Sequence, residues 1–265
     1  MKVTDLKFKD ALSRPLPDNI DREIKDEVVS NKIKTFFKKS PALYNFLREV
    51  FGATHSPWTS YKLKKRIRKF LNNDFDSKLV VNLGSGTNRL HPEVINLDLF
   101  PFKNVDVVSD VADTPFKDSV VDAVILDSVM EHLPDTQGAM KEISRIIKPD
   151  GLIIMTSLFM YPYHSSPNDF FRWTEEGMKK VLNQYGFKIL ERGVHGGPMG
   201  ALQGVLMHVF AILFCFGSKT LYFLLVQLFM VLFSPFKLLD PLFALSPYSS
   251  DVASDIFIIA QKNNA

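Results

Sequence analysis

Residues 80–89, Val-Val-Asn-Leu-Gly-Ser-Gly-Thr-Asn-Arg, constrain this chain more than any other stretch. An apolar run stops at a tight Gly-x-Gly turn, and a second short run, Val94-Ile95-Asn96-Leu97, ends on Asp98. A buried strand of this kind delivers the chain to the carboxyl edge of a sheet, where α/β proteins bind ligands. Glycines there let the backbone turn sharply and approach a ligand with no Cβ in the way. A carboxylate at the tip of the next strand suits a pair of ribose hydroxyls. The pattern reads as a nucleoside-binding α/β domain.

The spacing argues against a dinucleotide. The G-x-G-x-x-G fingerprint needs a third small residue for close helix–strand packing. Here the register puts Arg89 at that position, and the acidic residue arrives only 14 positions after Gly84. Between Val80 and Met155, short β-rich runs alternate with helical stretches such as residues 136–147, which predicts βαβ units and a largely parallel sheet. Right-handed crossovers then place Gly84, Asp98, Asp110 and Asp127 on one edge. Taken singly, each aspartate reads first as a turn or N-cap residue, Asp110 and Asp113 above all.

Taken together, these segments resemble the class I S-adenosylmethionine-dependent methyltransferases, in particular the group that includes ubiquinone and menaquinone methylating enzymes. The resemblance runs from about residue 78 to 187. Leu83-Gly84-Ser85-Gly86 is similar to the family's first motif. Ser109-Asp110-Val111-Ala112-Asp113-Thr114-Pro115-Phe116 is similar to its third-strand motif. Asp127-Ser128-Val129-Met130-Glu131-His132-Leu133-Pro134 comes close to its "EHLP" segment, and Lys148-Pro149-Asp150-Gly151 to the turn into the fifth strand. Ser85 stands where cysteine or threonine is common, and Asp150 replaces a glycine. The resemblance implies a Rossmann-like, doubly wound sheet, mostly parallel with an antiparallel last strand, and S-adenosyl-L-methionine as cofactor. Gly84, Ser85 and Gly86 would wrap its methionine part, Asp98 its ribose, and Asp110 with the Val111 backbone its adenine. Asn82, Leu99 and Asp127 complete the implied cofactor set. The sixth strand would be residues 187–192 and the antiparallel seventh residues 255–260.

The net charge of +3 conceals a polarised chain. Residues 31–71 carry eleven Lys/Arg against one acid, Glu49, with aromatic residues interleaved. Within this region Leu63, Ile67, Phe70 and Leu71 share one helical stripe among cations. Three readings fit: a helix covering the sheet, a helix lying on an anionic lipid surface, or a polyanion site. One cysteine, Cys215, excludes a disulfide framework. The charged N-terminus has no apolar segment of the secretory kind. The six histidines show no metal-ligand spacing.

Residues 199–216 are 18 in number and only Gln203 and His208 are clearly polar; residues 221–233 are interrupted only by Gln227. About 20 apolar residues are needed to span a bilayer, so neither run settles spanning against lying in the interface. All-round apolarity means burial in protein or lipid, and the sheet's own helices leave no core for it. The expected organisation is a basic extension, 1–71, a methyltransferase domain, 72–198 and 246–265, and a membrane-associated helical hairpin, 199–245, whose alternative is a homodimer interface. The expected location is the cytoplasmic face of a membrane.

Methyl transfer asks the protein to align an acceptor and remove its proton, which suggests histidine near neutral pH. Residues 161–174 follow the fifth strand and resemble a "PYHxxPxDxxRxT" segment of bacterial methyltransferases in this group. His164 with Asp169 would be base and orienting carboxylate, with Tyr163 and Arg172 toward the substrate; equally, Asp169 and Arg172, three apart, would form a local ion pair. His132 is the second candidate base. The reading is a methyltransferase acting on an oxygen, ranked ahead of a carbon, of a lipid, quinone or lipid-linked glycan. A non-catalytic membrane adaptor and a soluble RNA methyltransferase are the rivals; the hairpin and the lack of an Asn-Pro-Pro-Tyr-type motif argue against nucleic acid.

Overall fold

The computed structural model describes residues 8–16, 46–47, 49–54, 56–164 and 168–264. The basic, aromatic residues 31–45 and Arg48 lie outside the described set, as do residues 165–167 of the segment after the fifth strand.

The described strands are β1 (Val80–Leu83), β2 (Ile95–Asp98), β3 (Val107–Val108), β4 (Val121–Asp127), β5 (Ile147–Leu158), β6 (Phe187–Gly196) and β7 (Asp255–Lys262). They form one sheet in the order β3-β2-β1-β4-β5-β7-β6. The first five pair in parallel, and β7 runs antiparallel to both β5 and β6. This is the expected Rossmann-like sheet, with its antiparallel last strand slotted between the fifth and sixth. Gly84, Asp98, Asp110 and Asp127 all fall at or just beyond the carboxyl ends of parallel strands.

Apart from register shifts at Val121/Ala123 in β4 and at two points of β6, side chains alternate across the sheet, so two cores form. Val81, Leu83, Val124, Leu126, Ile153, Met155, Ile256 and Ile258 face helices α2 (Thr136–Ile146) and α3 (Glu175–Gln184) through Met140, Ile143, Met178 and Leu182. Val80, Ala123, Ile125, Ile154, Phe257 and Ile259 face the other way, onto Leu63, Ile67 and Leu71. Leu63 and Ile67 belong to helix α1 (Pro57–Phe70), and Leu71 is its C-cap. Its start is fixed by a reciprocal Ser56–Thr59 capping box and by Pro57 in the first turn, its end favoured by Arg68 and Lys69 in the last. The apolar stripe of α1 is therefore spent on the sheet. Its reading as a helix lying on lipid gives way to the covering helix, because one stripe cannot be buried in both places.

The expected strand–helix alternation also needs correction. Residues 84–94, 99–106 and 109–120 hold no helix among the described residues; only the crossovers after β4 and β5 carry α2 and α3. These connections are short and contain Pro92, Pro101 and Pro115, each of which opposes helix at and before its position. The N-terminal α1 supplies the layer they omit.

Between β6 and β7 the chain forms a helical hairpin of α4 (Pro198–Phe214) and α5 (Lys219–Phe233). It turns through Phe216 and Gly217, both at positive φ. A 3-10 turn (Ser234–Leu239) and a short helix α6 (Asp240–Phe243) follow. Gly196 pairs with Asp255, so the chain leaves and re-enters the sheet at adjacent points. The stretch Lys219–Phe243 is long and apolar enough to cross a membrane by length and composition.

Candidate active site

The β1–β2 turn is built around Asp98. Its Oδ2 accepts the Gly86 N–H at 2.7 Å and its Oδ1 the Phe100 N–H at 2.9 Å, while the Ser85 N–H donates to the Leu97 carbonyl at 3.1 Å. One buried carboxylate thus holds the Gly-x-Gly turn on one side and the β2 exit on the other. Gly84 sits at φ +68°, and a Cβ there would strike Val129 Cγ2 at 2.6 Å, so this position requires glycine twice over. Gly86, at φ +54°, is different: a Cβ would meet nothing within 4 Å, so its backbone faces open space. In the same turn and the strand that leads into it are two buried polar atoms with no hydrogen-bond partner inside the protein, Asn82 Oδ1 and Ser85 Oγ. Buried polar groups are ordinarily paired, so such orphans mark where a polar ligand belongs.

Along the same edge Leu99 stands exposed after Asp98, and Asp110 Oδ1 closes an Asx turn onto the Ala112 N–H at 2.8 Å, with Val111 buried behind it. Asp127 Oδ1 accepts from Thr156 Oγ1 at 2.8 Å and lines a narrow cleft between α1 and the ends of β4, β5 and β6. Arg89, the residue out of place for a dinucleotide fingerprint, spans three segments. It donates to both Asp106 carboxylate oxygens at 2.8 Å, to the Asn104 carbonyl at 2.8 Å and to the Val94 carbonyl at 3.0 Å. It ties the β1–β2 turn to the β2–β3 turn.

A second cluster of polar side chains lies on the loop after β5. His132 and His164 come together there, ring centroids 5.6 Å apart. His132 Nδ1 meets the Asn168 carbonyl, which only accepts, so that nitrogen carries the proton and Nε2 is the free base nitrogen of the neutral ring. Asp169 does not orient the His164 ring as expected; it accepts the backbone N–H of His164 at 2.6 Å. Its carboxylate is instead bidentate with Arg172 (2.5 and 2.6 Å), and Arg172 also donates to the carbonyls of Tyr161, Pro162 and Phe171. All five guanidinium N–H donors are engaged. The arginine braces the loop and has no donor left for a substrate anion, which corrects its expected contact. Burial pushes the Asp169 carboxyl up, but the Arg172 bonds and the His164 N–H outweigh it and hold it below the usual range. Tyr163 is exposed at the loop's outer rim.

Sequence reading missed Glu131 and Asp255. Both are fully buried at the carboxyl edge. Glu131 accepts from Ser157 Oγ at 2.8 Å, and its backbone carbonyl takes the Phe170 N–H at 2.8 Å. Burial raises its carboxyl above the usual range. Asp255 is pushed well above it by burial and by the neighbouring Glu131 and Asp127 carboxylates. Glu131 was in view within the "EHLP" segment; nothing in the sequence near Asp255 signals its burial.

The comparisons with known proteins agree with this fold. A family model described as a methyltransferase domain matches residues 61–155. No curated protein matches. Among solved structures the chain is similar to phosphoethanolamine N-methyltransferase 2 of Haemonchus contortus. In complex with phosphomonomethylethanolamine and S-adenosylhomocysteine that enzyme superposes with TM-score 0.54 at 14% identity, over 91% of this chain and 61% of its own. Its complex with S-adenosyl-L-methionine gives TM-score 0.50 at 15% identity, over 88% and 60%. This chain therefore spans about three fifths of that enzyme's length, and the likeness is one of fold. The fold is that of the class I methyltransferases. Residues 61–155 thus carry an S-adenosylmethionine-dependent methyltransferase domain, and the open face of Gly86, the Asn82 and Ser85 orphans and the Asp98 carboxylate fit the polar parts of such a cofactor.

Proposed function

We propose that this methyltransferase works at the cytoplasmic face of a membrane and methylates an oxygen of an amphipathic acceptor, a lipid, quinone or lipid-linked glycan. The observation that carries the reading is the position of the exposed apolar hairpin. It leaves the sheet at the edge that holds the site, and it touches the loop after β5: a Cβ on Gly204 of α4 would lie 3.1 Å from the Tyr161 ring and 3.2 Å from Pro162 Cδ. Beyond that contact Ile212, Leu213 and Phe216 are 63, 65 and 88% exposed. Exposed apolar area on this scale marks a contact surface.

S-adenosylmethionine, when bound, supplies a methyl group already activated as a sulfonium. The chain's residues then have two tasks. The Gly84–Gly86 turn and Asp98 fix the nucleoside so that the acceptor meets the methyl in line. His132 Nε2 takes the proton from the acceptor oxygen as its new bond forms, with the Asn168 carbonyl holding the ring. His164, beside it, shapes the same mouth.

The test is flotation of the purified chain with sealed phosphatidylglycerol/phosphatidylethanolamine vesicles, followed by methyl-labelled cofactor and fractionated membrane lipid. The expected result is co-flotation and label in an organic-soluble product. His132→Gln should lower kcat at least tenfold with cofactor affinity unchanged. A chain that stays at the bottom of the gradient, or labels only water-soluble acceptors, overturns the reading.

A further inference from the structure

The geometry points to a hairpin that enters one leaflet obliquely and does not cross the bilayer; this rests on the membrane reading above. Polar contacts fix the base of the hairpin inside the protein. Asp240, arriving after α5, accepts the Met199 N–H at 2.8 Å and so caps the start of α4. Lys237 is buried and donates to the carbonyls of Glu49 (3.1 Å) and Gly52 (2.5 Å). Gln203 reaches across both arms, its Nε2 donating to Phe51 O at 2.7 Å and Met230 O at 2.9 Å. Gly200 fits under Ala53, where a Cβ would lie 2.5 Å from the carbonyl oxygen.

These contacts set a level from which the free length of each arm can be counted. On α4, residues 204–214 lie beyond Gln203; on α5, residues 219–230 lead back to Met230. At 1.5 Å per residue each arm extends about 17 Å. The hydrocarbon core is about 30 Å thick, so an arm matches one leaflet and falls well short of two. The 25-residue stretch from Lys219 to Phe243 gives no longer reach, because its second half returns to the base and carries the buried Lys237 and Asp240. The tip also opposes crossing or upright insertion: Ser218, Lys219 and Thr220 sit there, and a charge near the bilayer centre is costly. A tilt returns Lys219 toward the near headgroups, where its stem can stay in the apolar zone.

The occupant is lipid and not a second copy of the chain, for a geometric reason. Ile212, Leu213 and Phe214 are all exposed, and three successive helical residues sweep 200° of arc. On α5, Phe223 and Leu224 are exposed together, as are Val231 and Leu232. An isologous dimer covers one side of a hairpin; lipid wets every side. Shallow insertion places the His132–His164 mouth beside the headgroups, so an acceptor's polar head reaches the site while its tail remains in the leaflet.

Cys215, the chain's one cysteine, lies at the end of α4 and serves as the depth reporter. The full chain is bound to sealed phosphatidylglycerol/phosphatidylethanolamine vesicles, with flotation confirming attachment. It is then treated with a membrane-impermeant maleimide, either added outside or trapped within. The expected result is labelling at least tenfold slower than in denaturant-unfolded chain from both sides. Tyr248→Cys in a Cys215→Ser background, near the base, should label readily from outside. Labelling of Cys215 by trapped reagent in floating protein means a crossing hairpin and overturns the inference alone. Rapid labelling from outside in floating protein means attachment without insertion and overturns it equally. Loss of flotation instead removes the membrane reading on which it rests.

Discussion

Asp98 serves two loops at once, and that dual role sets what its replacement should do. Asp98→Ala removes the acceptor for the Gly86 and Phe100 N–H groups and the carboxylate proposed to hold a ribose. A charge-assisted bond of this kind contributes about 1.5–3 kcal/mol. Titration calorimetry should therefore show cofactor affinity reduced at least tenfold, while far-ultraviolet circular dichroism stays that of the folded domain; unchanged affinity would take Asp98 out of the site. Asp169 acts differently, as the brace of the loop after β5 through Arg172. Asp169→Asn breaks a pair whose carboxylate is 2% exposed, at a cost of about 2–3 kcal/mol. Its folded pKa lies below the unfolded one, so the stabilisation is present above the unfolded value and lost as pH falls through the folded value. The gap in denaturant midpoint between wild type and Asp169→Asn should hold steady from pH 7 to about 5 and close below about 4. The pairing of Asp169 with Arg172 was legible from their three-residue spacing. The three carbonyls that complete the guanidinium's shell were not, because they depend on the path of the loop.

At the scale of elements, α1 shows why an amphipathic pattern underdetermines its partner. Leu63, Ile67 and Leu71 form the same stripe whether it meets lipid or a sheet. What decides it lies elsewhere, in the prolines of the β1–β2, β2–β3 and β3–β4 connections, which leave one sheet face without helices of its own. Ile67→Ala should accordingly cost about 2–4 kcal/mol of unfolding free energy in urea titration, whereas a helix resting on lipid would lose almost nothing in detergent-free solution. The hairpin was legible from its composition alone. Its anchorage was not: Lys237, Asp240 and Gln203 find partners 27 to 188 residues away. Polar residues scattered through an apolar run look like noise until the fold brings those partners to them.

For the whole molecule, the seven-strand order follows from ordered motifs at the ends of strands, each legible because its chemistry demands particular residues at a turn. The insertion leaves the sheet beside Gly196 and returns beside Asp255, which are paired, so a short linker can bridge the two ends. Replacing residues 199–245 with a short polar linker should give a chain that no longer floats with vesicles yet binds S-adenosylmethionine within about threefold of the full protein; loss of binding by calorimetry would show that the hairpin is part of the domain's core. Coverage of the sheet is uneven. β4, β5 and β7 lie between helices on both faces, but β3 has two residues, and the turns around β2 and β3 hold no helix among the described residues. That sparse corner carries Asp98, Leu99, Asp110 and Val111. At the proposed cofactor site a bound nucleoside would take the place of a missing layer, so occupancy and local order would rise together. Backbone amides of residues 95–111 should exchange with solvent quickly in the empty enzyme and slow sharply once it is charged with cofactor.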